Sequence, residues 1–282
     1  MAMAVQELPE AGKRDLTPLL AVSDLVTRIP LEGGGAVAAV NGVSFSIGRG
    51  ESLALVGESG SGKSMTALSL LGLLPRPGRV VGGTAFFGGR DLLALPKDAL
   101  RRVRGDEIGM VFQDPTTSLN PVLTVGQQLT EGLREHRPMS RKALLERAIE
   151  LLRLVGIPDP LARLHNYPHE FSGGQRQTIL IAMAIACEPD LLIADEPTTA
   201  LDVTIQAQIV ELLKELQARC GMAILWITHV LALVAGLVDR VAVMYAGSIV
   251  EQAEVRGLFG RPRHPYTVGL LKSMPRAGAR HD

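Results

Sequence analysis

The eight residues 57–64, which read GESGSGKS, restrict the fold of this chain more than any other feature. They follow a short apolar run, residues 52–56, and precede residues 65–74, whose composition is helical and which stop before Pro75. A strand, a glycine-rich loop and a helix in this order match the P-loop pattern in full. We therefore predict a strand–loop–helix unit. A chance glycine-rich turn is the alternative, but it would not require the flanking strand and helix.

The residue types in this loop suit the binding of phosphate groups. Glycines let backbone N–H groups curl around phosphate oxygens, and the N-terminus of the following helix adds its dipole. The side chain of Lys63 is expected to reach the β- and γ-phosphates of a nucleotide, and the hydroxyl of Ser64 to coordinate magnesium. The predicted phosphate-binding residues are Gly57, Glu58, Ser59, Gly60, Ser61, Gly62, Lys63 and Ser64.

A second motif, LLIADEP at residues 191–197, places two adjacent carboxylates at the end of an apolar strand. Asp195 is expected to hold magnesium and Glu196 to polarise an attacking water, which is the division of roles that phosphoryl transfer needs. A solvated turn after a strand would show the same acidic pair. Together with the P-loop, however, the pair indicates a site that hydrolyses a nucleotide.

A third motif, FSGGQ at residues 171–175, precedes the apolar helix predicted for residues 179–187. Free N–H groups and a serine hydroxyl at a helix N-terminus make a second potential anion site. The residues that would form it are Ser172, Gly173, Gly174 and Gln175. On the residues alone, an ordinary N-cap at Ser172 is the favoured interpretation.

The order of apolar segments predicts the fold class. Residues 19–27 and 42–47 are expected to be strands, and helical periodicity from about residue 124 to 185 indicates an inserted helical subdomain with a helix that starts at Ser140. From Leu191 onwards strands and helices alternate. The expected fold is therefore α/β, a P-loop NTPase core whose mostly parallel sheet is flanked by helices, with an N-terminal antiparallel β subdomain.

Composition excludes several other classes of protein. The chain has 29 basic and 29 acidic residues and is 46% hydrophobic, which is typical of a globular protein and favours neither a disordered tail nor nucleic-acid binding. The densest basic stretch, Arg101 to Arg104, is followed at once by acidic residues and is expected to be a solvated loop or helix end. The two cysteines, Cys187 and Cys220, match no metal-ligand spacing and are predicted to be buried thiols.

No segment is expected to cross a membrane. The N-terminal residues lack the apolar run of a signal peptide. The best candidate span, residues 223–238, is too short, contains His229, and has the composition of a strand followed by a helix. Any association with a membrane should therefore depend on partner proteins.

The motifs GESGSGKS, FSGGQ and LLIADEP, in this order, make the chain resemble the nucleotide-binding subunit of ABC transporters, from about Leu19 to Met274. The resemblance implies ATP hydrolysis, with ATP and Mg²⁺ as cofactors. It implies that Gln113, in VFQDP, contacts magnesium and water, and that Asp202, in ALD, binds ATP from a loop that crosses the subunit interface. It also implies that Ser172 to Gln175 bind ATP by closing over the phosphates held by the other subunit's P-loop. It also implies that His229 contacts the γ-phosphate, although a lone histidine after an apolar strand would by itself be read as structural.

Three further stretches resemble the oligopeptide/dipeptide and nickel importer branch of this family. They are QDPTTSLNP at residues 113–121, ALDVTIQAQI at residues 200–209 and HPYTVGLLKSMP at residues 264–275. The branch implies three kinds of partner: a second, related ATPase subunit, two transmembrane permeases and an extracytoplasmic solute-binding protein. It also implies a peripheral position on the cytoplasmic face of the inner membrane. No nucleic-acid partner is implied. The expected solute is a di- or oligopeptide, and nickel or another small solute is the alternative. A more distant alternative for the function is a soluble ABC ATPase that takes no part in transport.

The resemblance also implies a division of the chain and exposes some departures. Residues 1–18 should be a flexible tail and residues 19–282 an ABC ATPase domain, with the helical subdomain at about 124–185 and a C-terminal extension at about 255–282. Val230 stands where an aspartate usually follows the switch histidine, and Thr178 where an arginine is common. Residues 33–37 lack the aromatic residue that many relatives stack on adenine, and the cysteine-bearing tail of longer members is missing, so no iron–sulfur cluster is predicted.

Overall fold

The computed structural model of the chain describes residues 17–199 and 201–273. Most of the predicted N-terminal tail, Ala200 of the ALD motif, and the last nine residues of the predicted C-terminal extension lie outside the described residues.

The described residues form two β-sheets from ten strands. The strands are β1 (Leu20–Pro30), β2 (Ala36–Ile47), β3 (Ser52–Val56), β4 (Arg79–Phe87), β5 (Arg90–Asp91), β6 (Ile108–Val111), β7 (Leu191–Asp195), β8 (Ala223–Thr228), β9 (Arg240–Tyr245) and β10 (Ser248–Glu254). One sheet is antiparallel with the order β2-β1-β4-β5. The other has the order β10-β9-β3-β8-β7-β6, and it is parallel except for β10.

Helices cover the larger sheet and connect its strands. Within the described ranges they are α1 (Lys63–Leu70), α2 (Lys97–Asp106), α3 (Pro115–Ser118), α4 (Val125–His136), α5 (Arg141–Leu154), α6 (Pro160–Arg163), α7 (Gly173–Ala184), α8 (Val203–Cys220), α9 (Leu231–Val234), α10 (Val255–Gly260) and α11 (Pro265–Lys272). A 3-10 turn occupies Pro168–Glu170. The predicted α/β fold class, with an antiparallel N-terminal sheet and a mostly parallel second sheet, is confirmed.

The central strands separate two apolar cores because their side chains alternate between the two faces of the sheet. In β3, Ala54 and Val56 belong to one core, whereas Leu53 and Leu55 belong to the other. Strands β7 and β8 divide in the same way, and all residues of the three strands are buried. Burial on both faces explains why these strands are continuous apolar runs in the sequence.

The carboxyl ends of the parallel strands bring the sequence motifs to one edge of the sheet. The P-loop follows β3, Gln113 follows β6, Glu196 follows β7 and His229 follows β8. Parallel strands all end on the same side, and in open α/β sheets ligands bind there. The topology therefore places residues that are up to 172 positions apart around one site.

Helix α1 is shorter than predicted. The sequence indicated a helix up to residue 74, but α1 ends at Leu70. Gly72 has a positive φ of 61°, its N–H donates to Ser69 O, and the N–H of Leu73 donates to Leu68 O. This pair of bonds is a Schellman motif, which ends a helix at a left-handed glycine. The stop signal was therefore the glycine and not Pro75.

Two other local predictions have clear outcomes. Ser140 caps α5, since its Oγ accepts a hydrogen bond from the N–H of Ala143 at 3.2 Å, and the predicted start of this helix is confirmed. Cys187 is buried as predicted, but Cys220 is exposed and the prediction for it is wrong. Cys220 ends α8 at a stretch of exposed residues, 218–221, where the helix leaves the core.

Residues 223–238 form strand β8 and the short helix α9, in agreement with the interpretation of this segment as a strand followed by a helix. Among the described residues, no helix has both the length and the apolar character that a membrane span needs.

Candidate active site

The P-loop is a tight turn that needs glycine at two positions, because other backbone segments approach it closely there. A Cβ at Gly62 would lie 2.3 Å from the carbonyl oxygen of Ala39, and a Cβ at Gly57 would lie 2.2 Å from that of Met244. Gly62 also has a positive φ of 103°. The loop therefore packs against the backbone of both β2 and β9, and these contacts maintain its curved conformation. This preorganisation favours a fixed ring of backbone donors at the N-terminus of α1.

The ammonium of Lys63 lies inside the curve of this loop. Its Nζ donates to the carbonyl oxygens of Gly57 at 2.8 Å and Glu58 at 2.9 Å, and the residue is only 4% exposed. Burial lowers the pKa of Lys63, while Glu196 and Asp195 act in the opposite direction. The two carboxylates favour the charged form of Lys63, and the ammonium lies inside the loop, where it can contact an anionic ligand.

The hydroxyl of Ser61 is a polar group in the loop that lacks a protein partner. Its Oγ is buried and, within the described part of the chain, has no hydrogen-bond partner. A buried hydroxyl without a partner is costly, and a bound oxyanion would relieve that cost. The loop residues therefore fit a phosphate group.

Ser64 and Asp195 form a pair of oxygen donors beside the loop. Ser64 Oγ donates to Asp195 Oδ1 at 2.9 Å. The pKa of Asp195 is raised to about 6, chiefly by burial and also by the charge of Glu196, while the hydrogen bond from Ser64 and the charge of Lys63 oppose the shift. A hydroxyl and a carboxylate are oxygen ligands of the kind that Mg²⁺ prefers, so these residues fit that ion.

The raised pKa of Asp195 predicts a pH-dependent cost in stability. Because the folded pKa exceeds the ordinary value of 3.8, the carboxyl stabilises the fold only while protonated, and stability falls as pH rises through about 6. Asp195→Asn cannot ionise and should escape this loss. We expect the variant to gain up to about 3 kcal/mol over wild type between pH 4 and pH 7, measured by urea unfolding without nucleotide or divalent ions. Equal pH dependence of the two proteins would contradict the shift. Asp190→Asn, at an exposed carboxylate, serves as control.

Glu196 follows β7 and contacts residues that follow two other strands, β6 and β8. Its Oε2 accepts hydrogen bonds from Thr199 Oγ1 at 2.8 Å and Gln113 Nε2 at 3.2 Å, and lies 3.1 Å from His229 Nδ1. The backbone of Glu196 has a positive φ of 47°, and its N–H donates to Ile227 O on the neighbouring strand β8. A non-glycine residue in this region is unusual and is often found at functional sites. The turn directs the carboxylate into the cluster.

The structure thus brings together the P-loop, Asp195, Glu196, Gln113 and His229. Gln113 reaches Glu196, and among the described residues no hydrogen bond joins it to Ser64 or Asp195. His229 is half exposed and faces Glu196. Two of the predicted catalytic residues, Gln113 and His229, therefore both contact the carboxylate of the third, Glu196.

The residues of the FSGGQ motif lie in a second cluster. Ser172 and Gln175 form a capping box, in which Ser172 Oγ accepts from Gln175 N at 3.2 Å and Gln175 Oε1 accepts from Ser172 N at 3.1 Å. The N-cap interpretation of Ser172 is confirmed. In the described ranges no hydrogen bond or ion pair links residues 172–175 to the P-loop of the same chain.

Asp202 belongs to this second cluster and not to the first. Its Oδ1 accepts from Ile205 N at 2.9 Å and caps α8. A Cβ at Gly174 would lie 2.8 Å from Ile205 Cγ2, and one at Gly173 would lie 3.8 Å from Leu201 Cδ2. The N-termini of α7 and α8 are thus in contact, and they present Ser172, Gly173, Gly174, Gln175 and Asp202 on a common surface.

Sequence reasoning missed two residues that support the site. Thr199 hydrogen-bonds to Glu196, and Gln206 Nε2 donates to the carbonyl oxygens of Thr198 and Leu201, both at 3.1 Å. Gln206 thereby holds the loop that joins the two clusters. Hydroxyl and amide side chains beside a turn are common, so neither residue carried a signal in the sequence.

Residues 40–199 match the family model described as ABC transporter. The chain belongs to the ABC transporter family. Residues 250–282 match a second model, described as the C-terminal region of oligopeptide/dipeptide transporters. The resemblance inferred from the motifs is therefore confirmed.

Similar proteins support the same assignment. The oligopeptide transport ATP-binding protein OppD of Bacillus subtilis is 56% identical over 92% of this chain and 73% of the relative. The probable peptide ABC transporter ATP-binding protein y4tR of Sinorhizobium fredii is 56% identical over 97% of this chain and 80% of the relative. Both matches are long enough to include the P-loop cluster and the cluster at residues 172–175.

A solved structure is similar throughout the fold. The dimeric post-hydrolysis state of the ATP-binding cassette MJ0796, bound to ADP and Pi, superposes with a TM-score of 0.75 at 28% identity, over 84% of this chain and 99% of that chain. ABC ATPases bind and hydrolyse ATP, so the predicted enzyme class is confirmed together with the fold.

Proposed function

We propose that this ABC ATPase is the ATP-hydrolysing subunit of an importer for di- or oligopeptides. The observation that carries the proposal is the match of residues 250–282, which follow the ABC transporter match at residues 40–199, to the C-terminal region of oligopeptide/dipeptide transporters. Relatives named for peptide transport match most of the chain and support the same solute class.

We further propose that the chain works with a second ATPase subunit beneath two permeases, at the cytoplasmic face of the membrane, with an extracytoplasmic binding protein that delivers the solute. The separation of the two clusters supports a second ATPase. Among the described residues, no hydrogen bond or ion pair links residues 172–175 to the P-loop of their own chain. The N–H groups of Gly173 and Gly174, which the capping box does not use, are therefore available to a nucleotide on another subunit. The similar cassette MJ0796 was solved as a dimer.

In this proposal the P-loop residues and Lys63 bind the phosphates, and Ser64, Asp195 and Gln113 would hold Mg²⁺, which neutralises phosphate charge when bound. Glu196 orients the attacking water and accepts its proton, because its carboxylate is buried and held by hydrogen bonds from Thr199 and Gln113. His229 donates towards the γ-phosphate from the same edge. The groups are positioned before the substrate arrives, which reduces the reorganisation required in the transition state.

The test combines nucleotide binding with solute uptake. Lys63→Ala removes a buried ammonium that forms charge-assisted hydrogen bonds, so we expect the Kd for ATP, measured by calorimetry, to rise about 10- to 100-fold. In cells that lack the gene, wild type should restore uptake of labelled peptides and Lys63→Ala should not. Lys97→Ala, at an exposed residue of α2, is the matched control.

Two results would contradict this part of the proposal. Equal ATP affinity of Lys63→Ala and wild type would remove Lys63 from phosphate binding. Restored uptake of nickel, but not of peptides, by the wild-type chain would replace the proposed solute while leaving the ATPase assignment in place.

A further inference from the structure

The HPYT segment near the C-terminus reaches the nucleotide site. Tyr266, the second residue of α11, accepts a hydrogen bond at its hydroxyl oxygen from the backbone N–H of Glu58 in the P-loop, at 3.1 Å. The two residues are 208 positions apart in the chain. The segment lies inside residues 250–282, which match the transporter C-terminal region.

The hydrogen bond from Glu58 to Tyr266 uses the N–H of a peptide group whose carbonyl oxygen accepts a hydrogen bond from Lys63. The carbonyl oxygen of Gly57 and the N–H of Glu58 belong to the same peptide group. The carbonyl accepts from Lys63 Nζ at 2.8 Å, and the N–H donates to Tyr266. The two groups of a trans peptide point in opposite directions. The hydroxyl of Tyr266 thus fixes the orientation in which the carbonyl faces the ammonium.

Tyr266 is itself held in place by its neighbours. Its N–H donates to His264 Nδ1 at 3.2 Å, which caps α11. The carboxylate of Glu251 accepts from the N–H groups of Arg263 at 2.8 Å and His264 at 2.9 Å. The ring of Tyr266 packs against that of Tyr245, with 4.5 Å between centroids. These contacts therefore hold both the backbone and the ring of Tyr266, so its hydroxyl has a defined position.

We propose that Tyr266 is a positioning residue of the P-loop, which acts on bound phosphate through the peptide group between Gly57 and Glu58 and the ammonium of Lys63. The inference rests on the proposed role of Lys63 in ATP binding. It gives the C-terminal segment a direct physical link to the nucleotide site. If this peptide group turns, Lys63 loses one of its two carbonyl acceptors and its position relative to the phosphates changes.

Tyr266→Phe tests the inference because it removes the hydroxyl and keeps the ring against Tyr245. The loss of one hydrogen bond should raise the Kd and the KM for ATP about three- to tenfold, with kcat at saturating ATP changed less than about twofold. Tyr245→Phe is the matched control, because in the described residues its hydroxyl has no hydrogen bond to the P-loop. We expect this control to bind ATP as wild type does.

A double-mutant cycle separates positioning through Lys63 from a general structural effect. If Tyr266 acts through Lys63, Tyr266→Phe should have no further effect on ATP affinity in the Lys63→Ala background. Unchanged affinity of Tyr266→Phe, or the same fold loss in both backgrounds, would overturn the inference. A wild-type chain that does not bind ATP would overturn the proposed function as well, so the two failures are distinguishable.

Discussion

Glu196→Gln should slow ATP hydrolysis by about two to four orders of magnitude while ATP binding is retained. The amide cannot accept a proton from water, but it has nearly the same shape as the carboxylate. Its oxygen can still accept from Thr199 and Gln113, and the positive φ at this position is no more strained for glutamine than for glutamate. We expect the variant to accumulate an ATP-bound dimer.

The measurement is steady-state hydrolysis together with calorimetric ATP binding. Thr199→Val, which removes one hydrogen bond to Glu196 and keeps the carboxylate, is the control and should lose far less activity. Turnover by Glu196→Gln at the wild-type rate would show that another group activates the water.

Gly174→Asp should suppress ATP hydrolysis by the assembled transporter by about two to three orders of magnitude, comparable to the loss of an anion-stabilising donor. The new carboxylate would lie at the N-terminus of α7, where the proposed partner's nucleotide binds. The P-loop of this chain is a separate cluster, so its own affinity for ATP should stay within about twofold of wild type. Vanadate trapping with a photo-crosslinked ATP analogue, in a transporter with one mutated subunit, identifies which P-loop loses its nucleotide.

Ile205 provides a control for the steric part of this effect. Any Cβ at Gly174 would lie 2.8 Å from Ile205 Cγ2, so alanine should also disturb the contact between α7 and α8. Ile205→Ala should rescue Gly174→Ala but not Gly174→Asp, because only aspartate adds charge. Rescue of both variants would assign the loss to packing. Trapping lost only at this chain's own P-loop would contradict the two-subunit arrangement.

Local chemistry explains why much of the fold could be predicted from the sequence. The apolar runs of β3, β7 and β8 are buried on both faces of the sheet, so each reads as an unbroken strand. The P-loop glycines are required by the approach of other backbone segments. A serine before α5 and one before α7 cap the helices through their own hydroxyls. Each of these signals is a pattern among residues close together in the chain, so the sequence displays it directly, even where its cause is a distant contact such as that of Gly57 with Met244.

Tertiary structure decided which of these residues meet. Gln113, Glu196 and His229 gather because three parallel strands end at the same edge, an arrangement that depends on strand order. In the part of the chain that the structure describes, no hydrogen bond or ion pair joins residues 172–175 to the P-loop. Tyr266 reaches Glu58 only because α11 packs back against the loop.

The sequence by itself determined the P-loop, its acidic partner strand and the helix starts, because each of these features has a characteristic pattern of consecutive residues. Only the tertiary structure decided the exposure of Cys220, the position of Glu196 between Gln113 and His229, and the contact of Tyr266 with the P-loop. The physical reason is that these contacts join residues 33, 83 and 208 positions apart, and no local spacing in the sequence records their distance. The exposure of Cys220 depends likewise on where α8 leaves the core.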